Sequence, residues 1–235
     1  RVSFNRRPLG IHHKNIGALV MQYSQKGLEL ISMYKEMSDE GYQHKLSGTI
    51  ESSKVDSDFE LSKVKDNVKD IFTRYNIKTV LDYGSGGSNW TTKGFSEEGK
   101  TATEYFNVDK VFYFEPARNL DERAKVDCVI SFDVLEHIFV SDIPNVLSDM
   151  FSYASKLVVL NVACYQANAL LPNGENAHVT VRHPWWWKGM VDNVAMDFPE
   201  IEVCLLTSIG YGKFQSFPIF AEHHRHTDKR YVIDY

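Results

Sequence analysis

Thr79-Val80-Leu81-Asp82-Tyr83-Gly84-Ser85-Gly86-Gly87 decides how the rest of the chain reads. An apolar run that ends on an acid and turns through closely spaced glycines predicts a parallel strand buried on both faces, because such a strand needs no polar alternation. The glycines mark its carboxyl end. A residue without Cβ takes positive φ and lets the backbone approach a ligand closely. In open α/β sheets ligands bind beyond the carboxyl ends of the strands, where the strand order reverses. The stretch therefore predicts a site for a nucleoside-like cofactor.

Two later segments repeat the logic. Phe112-Tyr113-Phe114-Glu115 is a second apolar strand closed by an acid, and Asp127 to Phe132 is a third apolar run, followed by Asp133-Val134-Leu135-Glu136-His137-Ile138. In this order the three segments, within roughly residues 60 to 223, resemble the class I S-adenosylmethionine-dependent methyltransferases. The resemblance implies a three-layer, Rossmann-like α/β fold with a seven-stranded sheet, and S-adenosyl-L-methionine as cofactor. By the same resemblance Asp82, Gly84 and Gly86 meet the amino-acid end of the cofactor. Glu115 holds the ribose hydroxyls, as a carboxylate can accept two hydrogen bonds at once. Asp133, Val134 and Leu135 flank the adenine or methionine portion.

The chain departs from that pattern between Glu115 and Asp127. About a dozen residues are too few for a helix, a third strand and a return, since a crossover alone takes at least ~10 to 12. The third strand is expected to be missing or very short, leaving Asp121 or Glu122 to reach the adenine or to stand as solvated loop charges.

Outside these motifs, Ile16, Leu19, Val20 and Tyr23, then Leu30, Ile31, Tyr34 and Met37, recur at helical spacing and close at Gly41. Residues 1–57 thus read as a helical extension or cap, with 43–57 as a polar loop, and 58–235 as the cofactor-binding domain. Ser57 and Glu60 are spaced as a capping box for a helix carrying Leu61, Val64, Val68, Ile71 and Phe72. Gly94 and Gly99 predict a short, broken first crossover helix in 90–106. A helix from Ser141, a strand over 156–161, a helix from Pro184, and strands over 202–207 and 214–222 complete the sheet.

The long polar segment 162–183 reads as a lid or binding loop on the acceptor side. It contains His178 and ends on His183-Pro184-Trp185-Trp186-Trp187. A neutral imidazole can take a proton near pH 7, which suits methylation of a hydroxyl, so His178 and His183 are the candidate catalytic residues. The other reading is that they only tie the loop down. One tryptophan is a candidate cover for a substrate ring or the sulfonium. His137 reads as a structural histidine, and the crowded His223, His224 and His226 are assigned no metal.

Composition narrows the partners. With 235 residues, 43% hydrophobic and 24% charged, the chain can bury a full domain core. A net charge of -5 with scattered Lys and Arg disfavours nucleic acid and points to a small-molecule or glycan-like acceptor. Cys128, Cys164 and Cys204 lack metal-type spacing and read as reduced thiols in a cytoplasmic protein. No run reaches the ~18 to 20 apolar residues of a membrane span. The chain opens on Arg1 rather than Met, so a removed leader stays open. Two other functions stay open as well. One is a methyltransferase-fold binding module without catalysis. The other is a nicotinamide-dependent oxidoreductase, against which Asn89 stands at the third glycine position of the dinucleotide fingerprint.

Overall fold

A computed structural model of the chain describes residues 23–44, 50–51, 58–210, 213–219 and 231–234. The described chain begins with α1 (Gln25–Glu40), β1 (Tyr42–His44), β2 (Ile50–Glu51), α2 (Asp58–Lys63), α3 (Lys65–Arg74) and β3 (Thr79–Tyr83). It continues through α4 (Ala102–Phe106), β4 (Lys110–Glu115), β5 (Leu120–Asp121), β6 (Val126–Phe132), α5 (Ile143–Tyr153) and β7 (Ala154–Ala163). It closes with β8 (Ala169–Leu170), α6 (Pro184–Ala195), β9 (Glu202–Gly210), β10 (Lys213–Ile219) and β11 (Tyr231–Asp234).

The central sheet has the order β11-β10-β9-β7-β6-β3-β4-β5. Strands β4, β3, β6, β7 and β9 are parallel to one another, and β10 joins antiparallel to β9. The strand order reverses between β3 and β6, so the carboxyl ends of β3, β4 and β6 frame one crevice. The fold is α/β and Rossmann-like, with helices on both faces.

Side-chain alternation along the strands builds the two faces. Leu81, Val129 and Val158 point into one cluster with Ile143, Leu147 and Phe151 of α5 and Trp187 and Val191 of α6. Val80, Cys128, Ile130 and Val159 point into the opposite cluster with Val68 and Phe72 of α3 and Phe106 of α4. Being buried on both sides is why the middles of β6 and β7, residues 128–130 and 157–160, are continuously apolar in sequence. Each fully buried Leu, Ile or Phe contributes about 1.5 to 3 kcal/mol relative to exposure.

Between Glu115 and Asp127 the chain makes one turn of 3₁₀ helix, Pro116–Arg118, and the two-residue β5, which runs back antiparallel to β4. Neither a parallel strand nor a crossover helix occupies this stretch, as its length requires. The first crossover is likewise reduced to the five-residue α4, held at its start by a capping box between Thr101 and Glu104.

Several expectations are corrected. Residues 43–57 are not simply a loop: β1 pairs with β2 and, across the chain, with β8 in a three-stranded antiparallel sheet. The long 162–183 segment thereby acquires a strand and a fixed position. Glu60 pairs with Lys63 at 2.7 Å, while Ser57, its expected capping partner, lies outside the described residues. So do Ile16, Leu19 and Val20 of the predicted first helix, residues 220–222 of the predicted last strand, and His223, His224 and His226.

Helix α1 begins at the N-cap Ser24 and ends at Gly41, and is fastened to the sheet domain at its start. Asp142, just ahead of α5, accepts hydrogen bonds from Ser24 N (3.0 Å) and Ser24 Oγ (2.8 Å). The approach is so close that a Cβ on Gly27 would stand 2.1 Å from Asp142 Oδ2. Among the described residues no helix is long and apolar enough to cross a membrane. The three cysteines are unpaired, and burial pushes the Cys204 thiol up to about 12 and the Cys128 thiol well above its ordinary value.

Candidate functional site

A cavity of about 530 Å³ opens at the carboxyl ends of β3, β4 and β6. That volume suits a cofactor or drug-sized ligand. Helix α1 forms one wall through Leu30, Ile31, Tyr34 and Met37, and the 162–183 segment forms another through Tyr165, Ala167 and His178.

The strand ends supply the first half of the site. Gly84 (φ 79) and Gly86 (φ 54) turn the chain in the left-handed region. A Cβ on Gly84 would stand 2.5 and 2.6 Å from the two γ-carbons of Val134, so only glycine lets β3 and β6 end side by side. Phe114 C=O accepts from the N–H groups of Gly84 (2.7 Å) and Ser85 (3.1 Å), pinning the turn to β4. Glu115 then reaches across: its Oε2 accepts from Gly86 N (2.8 Å) and its Oε1 from Ala117 N (3.0 Å). Each oxygen keeps a second lone pair for a ligand donor. Burial raises the Glu115 carboxyl above its ordinary value, against the pull of these two backbone donors.

The second half lies where β6 ends. Asp133 holds φ 56, a left-handed backbone that Asp tolerates, and its side chain is 43% exposed at the cavity. His178 Nδ1 lies 2.5 Å from Tyr165 C=O, and a carbonyl can only accept, so this nitrogen carries the proton. The lone pair is then on Nε2, 3.9 Å from Asp133 Oδ1. His137 Nδ1 lies 3.0 Å from Ala177 C=O and 3.0 Å from the Tyr34 hydroxyl, which itself donates to Ala177 C=O at 2.6 Å. By the same argument His137 Nδ1 is protonated and Nε2 holds the lone pair. The two imidazoles meet edge to face at 4.8 Å. Burial, then His178, lowers the His137 pKa to about 4, so the ring is neutral near pH 7. Glu136 is fully buried, and burial with the Asp133 charge pushes its carboxyl well above the usual range.

Of the residues predicted for the site, Gly84, Gly86, Glu115, Asp133, Val134 and His178 line this one cavity. Three do not. Leu135 is buried in the sheet–helix core against α5 and α6. Asp82 turns to the loop, where Oδ2 accepts from Ser88 Oγ (2.6 Å) and Trp90 Nε1 (2.9 Å), fastening the glycine turn from behind. His183 is exposed and caps α6, its Nδ1 accepting from Trp185 N at 3.3 Å. A strand-end position does not by itself point a side chain at the ligand.

Other expectations fail for similar reasons. Trp187 is fully buried and Trp185 and Trp186 pack against the same core, so none covers the cavity. Asp121 pairs with Arg123 at 2.7 Å and Glu122 accepts from Tyr113 N at 3.1 Å, so neither faces the site. Conversely, Tyr34, Glu60, Arg118 and His137 line the cavity unannounced. The only available signal was His137 itself, two residues beyond Leu135 on the turn already singled out. No family model matches the chain, and no curated protein matches it.

Proposed function

We propose that the chain is an S-adenosyl-L-methionine-dependent methyltransferase of the seven-stranded Rossmann-like class, acting at a hydroxyl of a small-molecule or glycan-like acceptor. The observation that carries this reading is Glu115. Its carboxylate stands at the end of β4, beside the Gly84–Gly86 turn and inside a cavity of sufficient size. Two ribose hydroxyls would find an acceptor there with unused lone pairs on both oxygens. The glycine turn, sealed against Val134, leaves room for backbone contact with the cofactor's amino-acid end.

The acceptor side is the wall made by α1 and 162–183. Tyr34, Tyr42 and Tyr165 line this wall, and aromatic side chains there suit a sugar or a flat acceptor. The bound cofactor supplies an activated methyl donor, so the protein's task is chiefly alignment, which can contribute about 7 to 11 kcal/mol. His178 would take the hydroxyl proton on Nε2, oriented by the bond from Nδ1 to Tyr165 C=O. The unpaired cysteines fit a reducing, cytoplasmic compartment.

Calorimetric titration with S-adenosylhomocysteine tests the cofactor. Binding of S-adenosylhomocysteine in preference to NAD supports the proposal, and a preference for NAD would favour a nicotinamide-dependent oxidoreductase. The truncated β5 edge, whose Asp121 and Glu122 are engaged away from the cavity, favours a second reading: a module that binds the cofactor without catalysis. Binding without methyl transfer across a broad hydroxyl-acceptor screen would select that reading.

A further inference from the structure

We propose that Asp133, His137 and His178 bind a divalent transition-metal ion at the acceptor end of the cavity. One carboxylate oxygen and one nitrogen from each ring lie within 4.8 Å of one another. All three residues line the cavity, so a bound ion would have protein on one side and open coordination positions on the other. Two imidazoles and a carboxylate in this arrangement suit Mn²⁺, Co²⁺ or Zn²⁺ better than Mg²⁺ or Ca²⁺, which prefer all-oxygen sites.

The protonation pattern of the rings fits ligation. Nδ1 of both histidines is committed to a backbone carbonyl, Tyr165 for His178 and Ala177 for His137, with Tyr34 bracing the latter. This leaves both Nε2 lone pairs available and both rings fixed, the outer arrangement that ligating histidines commonly have. Donor atoms around an ion at about 2.1 Å sit about 3 to 3.5 Å apart, so the cluster must tighten by up to about 1.8 Å. Asp133 can move to close it, because its side chain is 43% exposed.

Glu136 gives an independent indication. It is 0% exposed, its Oε1 accepts from Ala163 N, and its Oε2 has no hydrogen-bond donor. The neighbouring side chain is that of Asp133. Among the described residues no Lys or Arg comes within ion-pair distance of Asp133. A buried carboxyl oxygen without a donor is unfavourable unless a nearby cation, or a proton shared with Asp133, compensates it. The ligand class for the open positions is a small oxygen donor, such as a hydroxyl or carboxylate. The metal site is tested separately from the cofactor reading, because the ion is titrated in the absence of any nucleoside; a bound ion takes the His178 Nε2 lone pair, so in the metal-loaded protein His178 positions the acceptor through the ion and does not itself take the proton.

The test uses the full chain, purified without a polyhistidine tag, stripped with EDTA and titrated with Co²⁺ while its visible absorption is followed. One equivalent of Co²⁺ should give d–d bands characteristic of nitrogen and oxygen ligands. The bands should persist in the variant carrying His223→Ala, His224→Ala and His226→Ala, which removes the competing histidines near the C-terminus. They should need about 10- to 100-fold more Co²⁺ in Asp133→Asn and in His178→Gln. Asn tolerates the left-handed backbone at position 133 and that side chain is exposed, so this variant keeps the fold even if His178→Gln does not. Absence of bands overturns the proposal in favour of a shared proton. Bands lost only with the C-terminal histidines, or unchanged in Asp133→Asn, overturn it as well.

Discussion

Replacing Gly84 by Ala should destabilise the protein through two separable effects, and their sizes can be worked out from the turn. The backbone holds φ 79, where an L-residue is strained by about 1 to 2 kcal/mol. The added Cβ also meets Val134 Cγ2 at 2.5 Å and Cγ1 at 2.6 Å, well inside van der Waals contact. Forcing an extra carbon into packed surroundings adds about 1 to 3 kcal/mol. Gly84→Ala should therefore cost about 2 to 5 kcal/mol in urea unfolding. Val134→Ala removes both γ-carbons and leaves the Val134 Cβ, 3.1 Å from the new methyl group, as the remaining tight contact. The double variant should thus recover most of the steric part and none of the backbone part. A double-mutant cycle would show a favourable coupling of about 1 to 2 kcal/mol. A cost below about 1 kcal/mol for Gly84→Ala alone, or a coupling near zero, would refute the claim that the β3 turn is glycine because it abuts β6.

Glu115→Ala should weaken S-adenosylhomocysteine binding by about 1 to 3 kcal/mol in a calorimetric titration, since it removes charge-assisted acceptors; unchanged affinity would remove Glu115 from the site. Because burial raises the Glu115 carboxyl above its ordinary value, the accepting, ionised form is lost as pH falls through that raised value. Wild-type affinity should therefore begin to decline at a pH above the normal Glu range, and the decline should vanish in Glu115→Ala. His178→Ala should leave S-adenosylhomocysteine affinity nearly intact while lowering single-turnover methyl transfer by about 10² to 10⁴; a loss of cofactor affinity with the fold intact would place the 162–183 wall on the cofactor side. Asp142→Ala should cost about 1.5 to 3 kcal/mol of stability by releasing the two bonds from Ser24 that fasten α1; thermal unfolding unchanged from wild type would show that α1 is held by packing alone. Cys128 and Cys204, buried with raised thiols, should resist alkylation by iodoacetamide until the protein unfolds, which mass spectrometry of the labelled peptides would show.

The amino-acid order alone determined the α/β class, parallel strands near 79–83, 111–115 and 127–132, the shortened crossover and a third strand missing or very short. These are local properties: a run of Val, Leu and Ile bounded by glycine or acid is written in adjacent residues, and a dozen residues cannot hold a missing crossover whatever surrounds them. It also pointed to the strand ends as the site, and six of the predicted residues meet in one cavity. Only the tertiary structure decided which way each strand-end side chain turns. Asp82 and Glu115 both close apolar strands, yet Asp82 is drawn to Ser88 and Trp90 while Glu115 is drawn to Gly86. The difference rests on which donors the following turn presents, and that turn is shaped by contacts with β4 and β6. That His137 stands against His178, a residue from a distant segment, follows only from the folded chain. That segment is positioned by β8 pairing with β1, Leu170 and Ala169 opposite Gln43 and His44, a contact too short to show a period in sequence. Side-chain convergence of this kind depends on long-range pairing, and no stretch of sequence carries it alone.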